Sequence, residues 1–273
     1  MTTLKIGHII KYIVLIVLAI LFLMPIYVVI ITSLKPLDEV TLAQMWSLPS
    51  SIDFSSYTHA FSRLAPNLLN SFYLVIPATL LAAILGSMNG YVLSKWKFKG
   101  SDILFTFLLF GMFLPYQSIL IPLIQFLRSI DLYNTIPGLI LVHVVYGIPI
   151  TTLMFRNFYA NIPDEMLESA QIDGAGFLTI FRKIILPLSI PGFVVVAIWQ
   201  FTNVWNEFLF AVTVTTGDKQ PVMVALQNLS GSQIVEWNVQ MAGALIAALP
   251  TLLVYIFLGK YFVRGLLAGS VKG

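Results

Sequence analysis

Residues 9–31 read IIKYIVLIVLAILFLMPIYVVII, an apolar run interrupted by a single charge at Lys11. Crossing the hydrocarbon layer of a bilayer, roughly 30 Å thick, takes about 20 helical residues. The run is therefore long enough to span a membrane, and it is too long for the apolar core of a signal peptide. Because no small-residue cleavage site follows it, we expect it to be retained as a span.

Five further stretches of the sequence have the same length and apolar character. They are continuously apolar and lack alternation, which excludes a closed β-barrel. The sequence thus predicts an all-α integral membrane protein with six transmembrane helices in one domain over residues 1–273. The predicted spans are 9–31, 68–93, 103–125, 135–155, 188–214 and 239–262.

The composition agrees with a membrane protein. Hydrophobic residues make up 58% of the chain and charged residues only 10%, where a soluble domain carries about 25% charged residues. The net charge of +3 is too small to suggest nucleic acid as a partner, in spite of a pI near 9.0. With no cysteine in the chain, disulfides and thiolate metal sites are excluded.

The distribution of Lys and Arg predicts the orientation, because cytoplasmic flanks are enriched in both. With the N-terminus inside, 11 of the 15 fall on the cytoplasmic side and 4 outside, so both termini are predicted to be cytoplasmic. The inside set is Lys5, Lys11, Lys95, Lys97, Lys99, Arg156, Arg182, Lys183, Lys260, Arg264 and Lys272. The outside set is Lys35, Arg63, Arg128 and Lys219.

The longest predicted cytoplasmic loop, residues 156–187, reads RNFYANIPDEMLESAQIDGAGFLTIFRKIILP. Pro163 suits the first turn of a helix, and the acidic side chain of Asp164 suits its positive end. Gly174 permits a tight turn, after which a second short helix is predicted. From these residues alone, the hairpin either lies on lipid headgroups or docks a cytoplasmic partner.

Three parts of this loop resemble the EAA signature of bacterial ABC-importer permeases. Glu168-Ser169-Ala170 is followed, after three residues, by Gly174 and, after nine more, by residues 184–187, IILP. Ser169 stands where the family more often has Ala, a replacement of one small residue by another. The resemblance extends over the whole chain to the ending GLLAGSVKG at 265–273, which is similar to the tail of the maltose-type permease. It implies the type I ABC-importer permease fold.

The resemblance also implies that residues 156–187 form a coupling element, which docks in a cleft of the ATPase subunit and transmits its closure to the spans. The residues implied to dock are Glu168, Ser169, Ala170, Asp173, Gly174, Ala175, Leu186 and Pro187. The tail residues implied to contact the ATPase are Gly265, Gly269, Lys272 and Gly273. The chain has no phosphate-binding GxxxxGK[ST] motif, so we expect ATP and Mg²⁺ to bind partner ATPases, with no catalytic or metal site in this chain.

Polar side chains within a span predict a function, because they are costly in lipid. Gln200, Asn203, Asn206 and Glu207 fall within a helical arc of roughly 120° beside tryptophans, whose faces suit sugar rings. These residues are predicted to line a substrate path, and Gln117 is a weaker candidate. Alternatives remain open: hydrogen bonds between helices, or the seam with a partner permease. His143 and Tyr146 are predicted to be packing residues.

On the predicted outer side, the segment 225–233 resembles the loop that reaches toward the periplasmic binding protein in the maltose-type relative. Its candidate contact residues are Gln227, Asn228, Ser230 and Gly231. The outer segment 35–67, with Trp46 and Tyr57, is expected to belong to the same docking surface. A plain polar loop is the alternative.

Four stretches resemble glucose/mannose-type sugar permeases: 88–101, 110–122, 141–149 and 205–212. The resemblance implies a sugar importer of the inner membrane for a monosaccharide such as glucose or mannose. Glucosylglycerol, trehalose, maltose or another oligosaccharide is the alternative. Its partners would be a second permease, two ATPases, a periplasmic or lipid-anchored sugar-binding protein and membrane lipid. An ion-coupled secondary transporter is disfavoured because no repeat relates the two halves, and an enzyme because the three His are scattered.

Overall fold

The computed structural model describes the backbone of residues 2–229, 231 and 235–270, and the side chains of 8–229, 231 and 235–261. Every regular element in the described residues is helical, so the all-α prediction is confirmed. The helices are α1 (Thr2–Ser33), α2 (Ser55–Lys95), α3 (Ser101–Phe110), α4 (Tyr116–Ser129), α5 (Ile136–Ala160), α6 (Asp164–Ile172), α7 (Phe177–Ile180), α8 (Leu186–Leu188), α9 (Ile190–Asn206), α10 (Leu209–Val214), α11 (Val222–Leu229) and α12 (Trp237–Ser270).

Four of the predicted spans lie in single long helices. The parts of α1, α2, α5 and α12 that are long and apolar enough to cross a membrane are His8–Ser33, Ser55–Lys95, Ile136–Ala160 and Trp237–Tyr261. The apolar side chains of α1 are exposed along most of its length, as expected of a helix that meets lipid. If each of two bent helix pairs is counted as one span, the candidate spans among the described residues number six.

The third predicted span, 103–125, is not one straight helix. Segments Ser101–Phe113 and Tyr116–Ser129 meet at 98°. The reason lies in Pro115, which has no N–H to donate and disfavours helical geometry in the residue before it. Leu114 accordingly takes an extended conformation with ψ 121°, and Pro115 follows with ψ 126°.

The fifth predicted span, 188–214, is also interrupted. Segment Phe177–Leu188 meets α9 at 74°, and α9 ends at Asn206 rather than continuing to Val214. Pro191 cannot donate the helical hydrogen bond at the first bend. At the second interruption Glu207 is extended, with ψ 127°, and α10 begins two residues later.

The chain divides into two compact units. One comprises residues 1–65 and 225–249, with a small core of Ala60, Val239 and Ala242 flanked by Tyr57 and Ile246. The other comprises 66–224 and 250–273, and its buried core joins α2, α5, α9 and the loop that follows α5. The prediction of a single domain stays a prediction.

The contact between α2 and α5 in the second unit depends on small side chains. Gly86 and Gly90 form a GxxxG pattern on α2, which allows close approach of membrane helices. Thr151 of α5 donates a hydrogen bond through Oγ1 to the Ala82 carbonyl at 3.0 Å. A Cβ atom on Gly86 would lie 2.2 Å from Thr151 Oγ1, so no larger residue fits there without moving α5.

We therefore expect Gly86→Ala to destabilise the protein by about 1–3 kcal/mol, the usual cost of overpacking. The measurement is the thermal midpoint of the purified chain in detergent. Gly111→Ala is the matched control, because Gly111 has helical geometry and a Cβ there would meet no atom within 4 Å. Equal midpoints for the two variants would contradict the close α2–α5 contact.

Candidate functional site

The loop after α5 folds as the predicted helical hairpin. Helix α6 follows Pro163, and Asp164 and Glu165 occupy its first turn, where the helix dipole favours negative charge. The buried Lys95 at the end of α2 donates hydrogen bonds to the Ile162 carbonyl at 2.6 Å and to Asp164 Oδ1 at 2.5 Å. The start of α6 is thereby fixed to α2.

A Schellman turn ends α6 at Gly174. The amide of Gly174 donates to the Gln171 carbonyl and the amide of Ala175 donates to the Ala170 carbonyl, both at 2.9 Å. Gly174 has a φ of +82°, which a residue with a Cβ adopts only at a cost. The predicted tight turn at Gly174 is confirmed, while its role in docking stays a prediction.

Gly174→Ala is expected to destabilise the hairpin by about 1–2 kcal/mol, the cost of left-handed backbone geometry in a residue with a Cβ. Gly176→Ala is the control, because Gly176 has a φ of −80° and a Cβ on either glycine would meet nothing within 4 Å. Limited proteolysis of the purified chain reports the difference as faster cleavage within 173–177 in the first variant. Cleavage at the same rate in both variants would contradict a strained turn.

The inner face of the hairpin is buried against the ends of α2 and α5. Leu167 on α6 is 4% exposed, and Ile180 and Ile185 are fully buried in the same cluster as Tyr91 and Tyr159. Aromatic rings complete this contact, with the Tyr91 ring 5.0 Å from Phe177 and 5.3 Å from Phe181. The hairpin is thus packed as part of the second unit.

The outer face of the hairpin is open. Of the predicted docking residues, Glu168, Ser169, Asp173, Gly174, Leu186 and Pro187 are exposed, whereas Ala170 and Ala175 are half-buried and pack on the inner cluster. The sequence interpretation missed Ile172, an apolar side chain that is 86% exposed on a helix outside the predicted spans. The helical spacing could have identified Ile172 as outward-facing, because it lies five residues after the buried Leu167 and so on the other side of α6.

The predicted tail contacts are partly outside the described residues. Gly265 and Gly269 lie in α12, which continues to Ser270. Lys272 and Gly273 lie beyond the described residues, and the ATPase-contacting role of all four stays a prediction.

The predicted substrate-path residues do not share one surface. Gln200 is buried, and its Nε2 donates to the His143 carbonyl of α5 at 3.2 Å. Asn203 and Asn206 are exposed, and each donates through Nδ2 to a carbonyl of its own helix, at 2.8 and 2.9 Å. Gln117, on α4, is exposed as well. Of these four residues, Asn203, Asn206 and Gln117 are exposed on the surface of this chain and Gln200 is not.

Glu207 supports the break between α9 and α10. Its carboxylate accepts hydrogen bonds from the amides of Phe210 at 2.8 Å and Ala211 at 3.2 Å, which have no helical partner at the start of α10. His143 lies beside it, with Nε2 3.7 Å from Glu207 Oε2 and its ring 6.0 Å from that of Phe210. The packing role expected for His143 is confirmed, and the capping role of Glu207 was not foreseen.

Tyr146 also packs, as expected. Its ring lies 5.1 Å from the rings of both Tyr116 and Phe210, so aromatic side chains from α4, α5 and α10 meet beside the break. Among the described residues no group of three His, Cys, Asp or Glu could hold a metal ion.

The predicted binding-protein loop is partly helical. Gln227 and Asn228 are exposed on α11, and Gly231 is exposed after it, whereas Ser230 lies outside the described residues. Gln240 of α12 donates through Nε2 to the Leu226 carbonyl at 3.1 Å, which ties the end of α11 to α12. This segment therefore presents its amide side chains on a fixed helix rather than on a free loop.

The segment after α1, which is predicted to lie on the outer side, is organised around a buried lysine. Lys35 is 1% exposed, and its Nζ donates to the Gln44 carbonyl at 2.6 Å. Nearby, hydrogen bonds from the side chain and amide of Ser50 hold the pKa of Glu39 below its usual value. Trp46 is half exposed on this segment. The segment is ordered, and its predicted docking role stays a prediction.

Comparison with known proteins identifies a family and several relatives of this chain. A family model described as a binding-protein-dependent transport system inner membrane component matches residues 78–267. The chain is 50% identical over 264 residues to a probable ABC transporter permease protein of Pyrococcus horikoshii, with 96% of each chain covered. It is 33% identical over 272 residues to the glucose import system permease protein of Saccharolobus solfataricus, with 96% of this chain and 95% of that one covered.

A solved structure shows the same fold. The crystal structure of a bacterial ABC transporter involved in the import of the acidic polysaccharide alginate contains a chain that matches with a TM-score of 0.83 at 22% identity. The match covers 94% of this chain and 97% of that one.

The family match identifies the class of protein as a membrane permease of a transport system. The chain belongs to the family of binding-protein-dependent transport system inner membrane components. It is accordingly a permease subunit of an ABC transporter, a transport component and not an enzyme.

Proposed function

We propose that this chain is a permease subunit of an ATP-driven importer of sugars, with a monosaccharide such as glucose or mannose as its substrate. Two observations support the sugar class: the resemblance of four stretches to glucose/mannose-type permeases, and the similarity over nearly the whole chain to a glucose import permease. The single observation that carries the coupling mechanism is the hairpin, which is buried on one face and exposed on the other.

The exposed face of the hairpin docks an ATPase subunit. Ile172 offers an exposed apolar side chain on the same helix as the exposed Glu168 and Ser169. A short helix laid into a groove is a common recognition mode, in which an apolar anchor supplies much of the affinity. The carboxylate of Glu168 selects a basic residue in the groove.

The buried face transmits the movement of the ATPases to the spans. Leu167 and Ile180 pack on the ends of α2 and α5, and Lys95 hydrogen-bonds the start of α6. Closure of two ATPases on ATP then biases the two permease halves between inward-open and outward-open states, because the ATPases have different affinities for the two states. ATP and Mg²⁺ are held by the ATPases.

By the predicted orientation, the hairpin lies on the cytoplasmic side of the inner membrane. The prediction rests on basic residues that flank the spans on the same side as the hairpin: Lys95, Lys97, Lys99 and Arg156. The distribution of Lys and Arg predicts that both termini lie on this side as well. On the outer side, α11 and the segment around Lys35 meet a periplasmic or lipid-anchored sugar-binding protein. A second permease completes the pathway.

The broken helices mark the sugar path. Irregular backbone at membrane depth is tolerated where it lines a cavity or is buried in protein, and transporters often bind substrates at such breaks. Asn203 and Asn206 expose amide groups on α9 just before its break at Glu207, and such groups suit sugar hydroxyls. Glu207 contributes indirectly, because its carboxylate stabilises the break between α9 and α10.

The function is tested by sugar uptake into proteoliposomes that contain the complete transporter and its binding protein, with ATP inside. We expect labelled glucose or mannose to accumulate and to stimulate ATP hydrolysis. Uptake of trehalose, maltose or glucosylglycerol in place of both monosaccharides would contradict the substrate proposal. Uptake driven by an ion gradient without ATP would contradict the importer class.

Ile172→Glu is expected to abolish co-purification of the ATPase subunits, because a charge replaces the apolar centre of the docking surface. Ile52→Glu is the control, since Ile52 is 67% exposed on the segment after α1, on the opposite predicted side. The yield of ATPase retained on the tagged permease is the measurement. Retention of the ATPase by the Ile172 variant would show that α6 does not dock it.

Asn206→Ala is expected to raise the sugar concentration needed for half-maximal uptake by about fivefold, the effect of losing one hydrogen bond of about 1 kcal/mol. Ser129→Ala is the control, because Ser129 is also exposed and bonds only a carbonyl of its own helix. Uptake kinetics are measured at equal amounts of assembled complex. An unchanged Asn206 variant would remove this residue from the path.

A further inference from the structure

A polar cavity of about 240 Å³ lies at the ends of α2 and α5, next to the start of α6. Its lining residues are Ser94, Lys95, Lys97, Arg156, Asn157, Ala160 and Asp164. The lining thus contains three cationic side chains and one carboxylate, which is an excess of positive charge in one pocket. The proposed coupling uses the contact between Lys95 and the start of α6, but it assigns no ligand to the cavity itself.

Two of the three cations are held in place by the fold. Lys95 is almost fully buried and bonds the Ile162 carbonyl and Asp164. Arg156 donates through Nε to the Leu93 carbonyl at 3.3 Å and through Nη2 to Asp102 Oδ1 at 2.9 Å. Positioned cations of this kind recognise phosphate better than mobile surface lysines, because less side-chain entropy is lost on binding.

The third cation supplies a charge that the protein leaves uncompensated. Lys97 is exposed, and no ion pair joins it to a carboxylate among the residues that the structure describes. The amide of Asn157 is also exposed on the same wall. An anionic group in the cavity would therefore meet the charge of Lys97 and a neutral hydrogen-bond donor.

An apolar surface adjoins the cavity on α3. The pair between Arg156 and Asp102 holds the start of α3 beside it, and Ile103, Leu104 and Phe107 on α3 are between 52% and 70% exposed. A ligand with a phosphate group and acyl chains matches both parts, whereas free phosphate would use only the cavity. Basic pockets between membrane helices commonly bind anionic headgroups.

We propose that this cavity is a binding site for the phosphate headgroup of an anionic phospholipid, whose acyl chains lie along α3. Every residue that lines the cavity belongs to this chain, so lipid binding can be measured on the purified chain. A phospholipid headgroup and free phosphate both offer a phosphate oxyanion to this cavity. The proposal is that the bound phosphate group belongs to a lipid.

The test is native mass spectrometry of the purified full chain, titrated with phosphatidylglycerol or with phosphatidylcholine of the same acyl chains. We expect preferential retention of phosphatidylglycerol. Lys97→Gln should weaken it about fivefold, since one cation near an anionic headgroup contributes about 1 kcal/mol. Lys99→Gln is the matched control, because Lys99 lies two residues away and does not line the cavity.

A second variant keeps the test independent of lysine chemistry. Asn157→Asp places a negative charge in the wall and should weaken phosphatidylglycerol retention, whereas Asn161→Asp, four residues further at the end of α5, should not. Equal retention of the two lipids, or equal losses in Lys97→Gln and Lys99→Gln, would overturn the proposal. Displacement of phosphatidylglycerol by millimolar inorganic phosphate would also overturn it, in favour of a free-anion site.

Discussion

The hydrocarbon of the membrane requires each backbone N–H and C=O group to find a partner within the protein. Continuous helices such as α1 and α5 meet this requirement by themselves. Where α9 stops, the amides at the start of α10 lose their helical partners, and the carboxylate of Glu207 accepts two of them. The costly charge of Glu207 within a span is thus explained by the break that it stabilises.

A second set of contacts fixes the hairpin between α5 and α9. The hairpin of α6, α7 and α8 carries its own aliphatic side chains into a cluster with Tyr91 and Tyr159, so it moves with the ends of α2 and α5. Lys95 adds a hydrogen bond to the start of α6 and also lines the polar cavity. A lipid headgroup in that cavity and an ATPase on the outer face would both contact the same rigid element.

Much of this arrangement could be predicted because it depends on local chemistry. Long apolar runs predict α1, α2, α5 and α12, and Pro163, Asp164 and Gly174 predict the start and end of α6. The Lys and Arg distribution predicts that both termini are cytoplasmic, and the structure does not test this orientation. Pro115 was visible in the sequence, but a proline in a membrane helix often only bends it, so the sharp 98° break was not foreseen.

The candidate site was less predictable where it depends on tertiary contacts. Gln200 and Asn203 share a helical arc in the sequence, yet Gln200 reaches the His143 carbonyl and is buried, while Asn203 is exposed. Which side of an arc faces α5 depends on how the helices pack. Ile172 was overlooked because an isoleucine in a short helix is usually a core residue, and only the buried Leu167 reveals which face is inward.

The most direct test of a cytoplasmic, ATPase-docking hairpin is thiol labelling, because the chain has no native cysteine. In a chain that carries only Ile172→Cys, a membrane-impermeant maleimide should label the thiol in inside-out vesicles stripped of ATPases, and not in right-side-out vesicles. Rebinding of the ATPase subunits should protect it. Labelling from the outer side, or equal labelling with and without bound ATPases, would contradict the account of a cytoplasmic hairpin that couples ATP hydrolysis to transport.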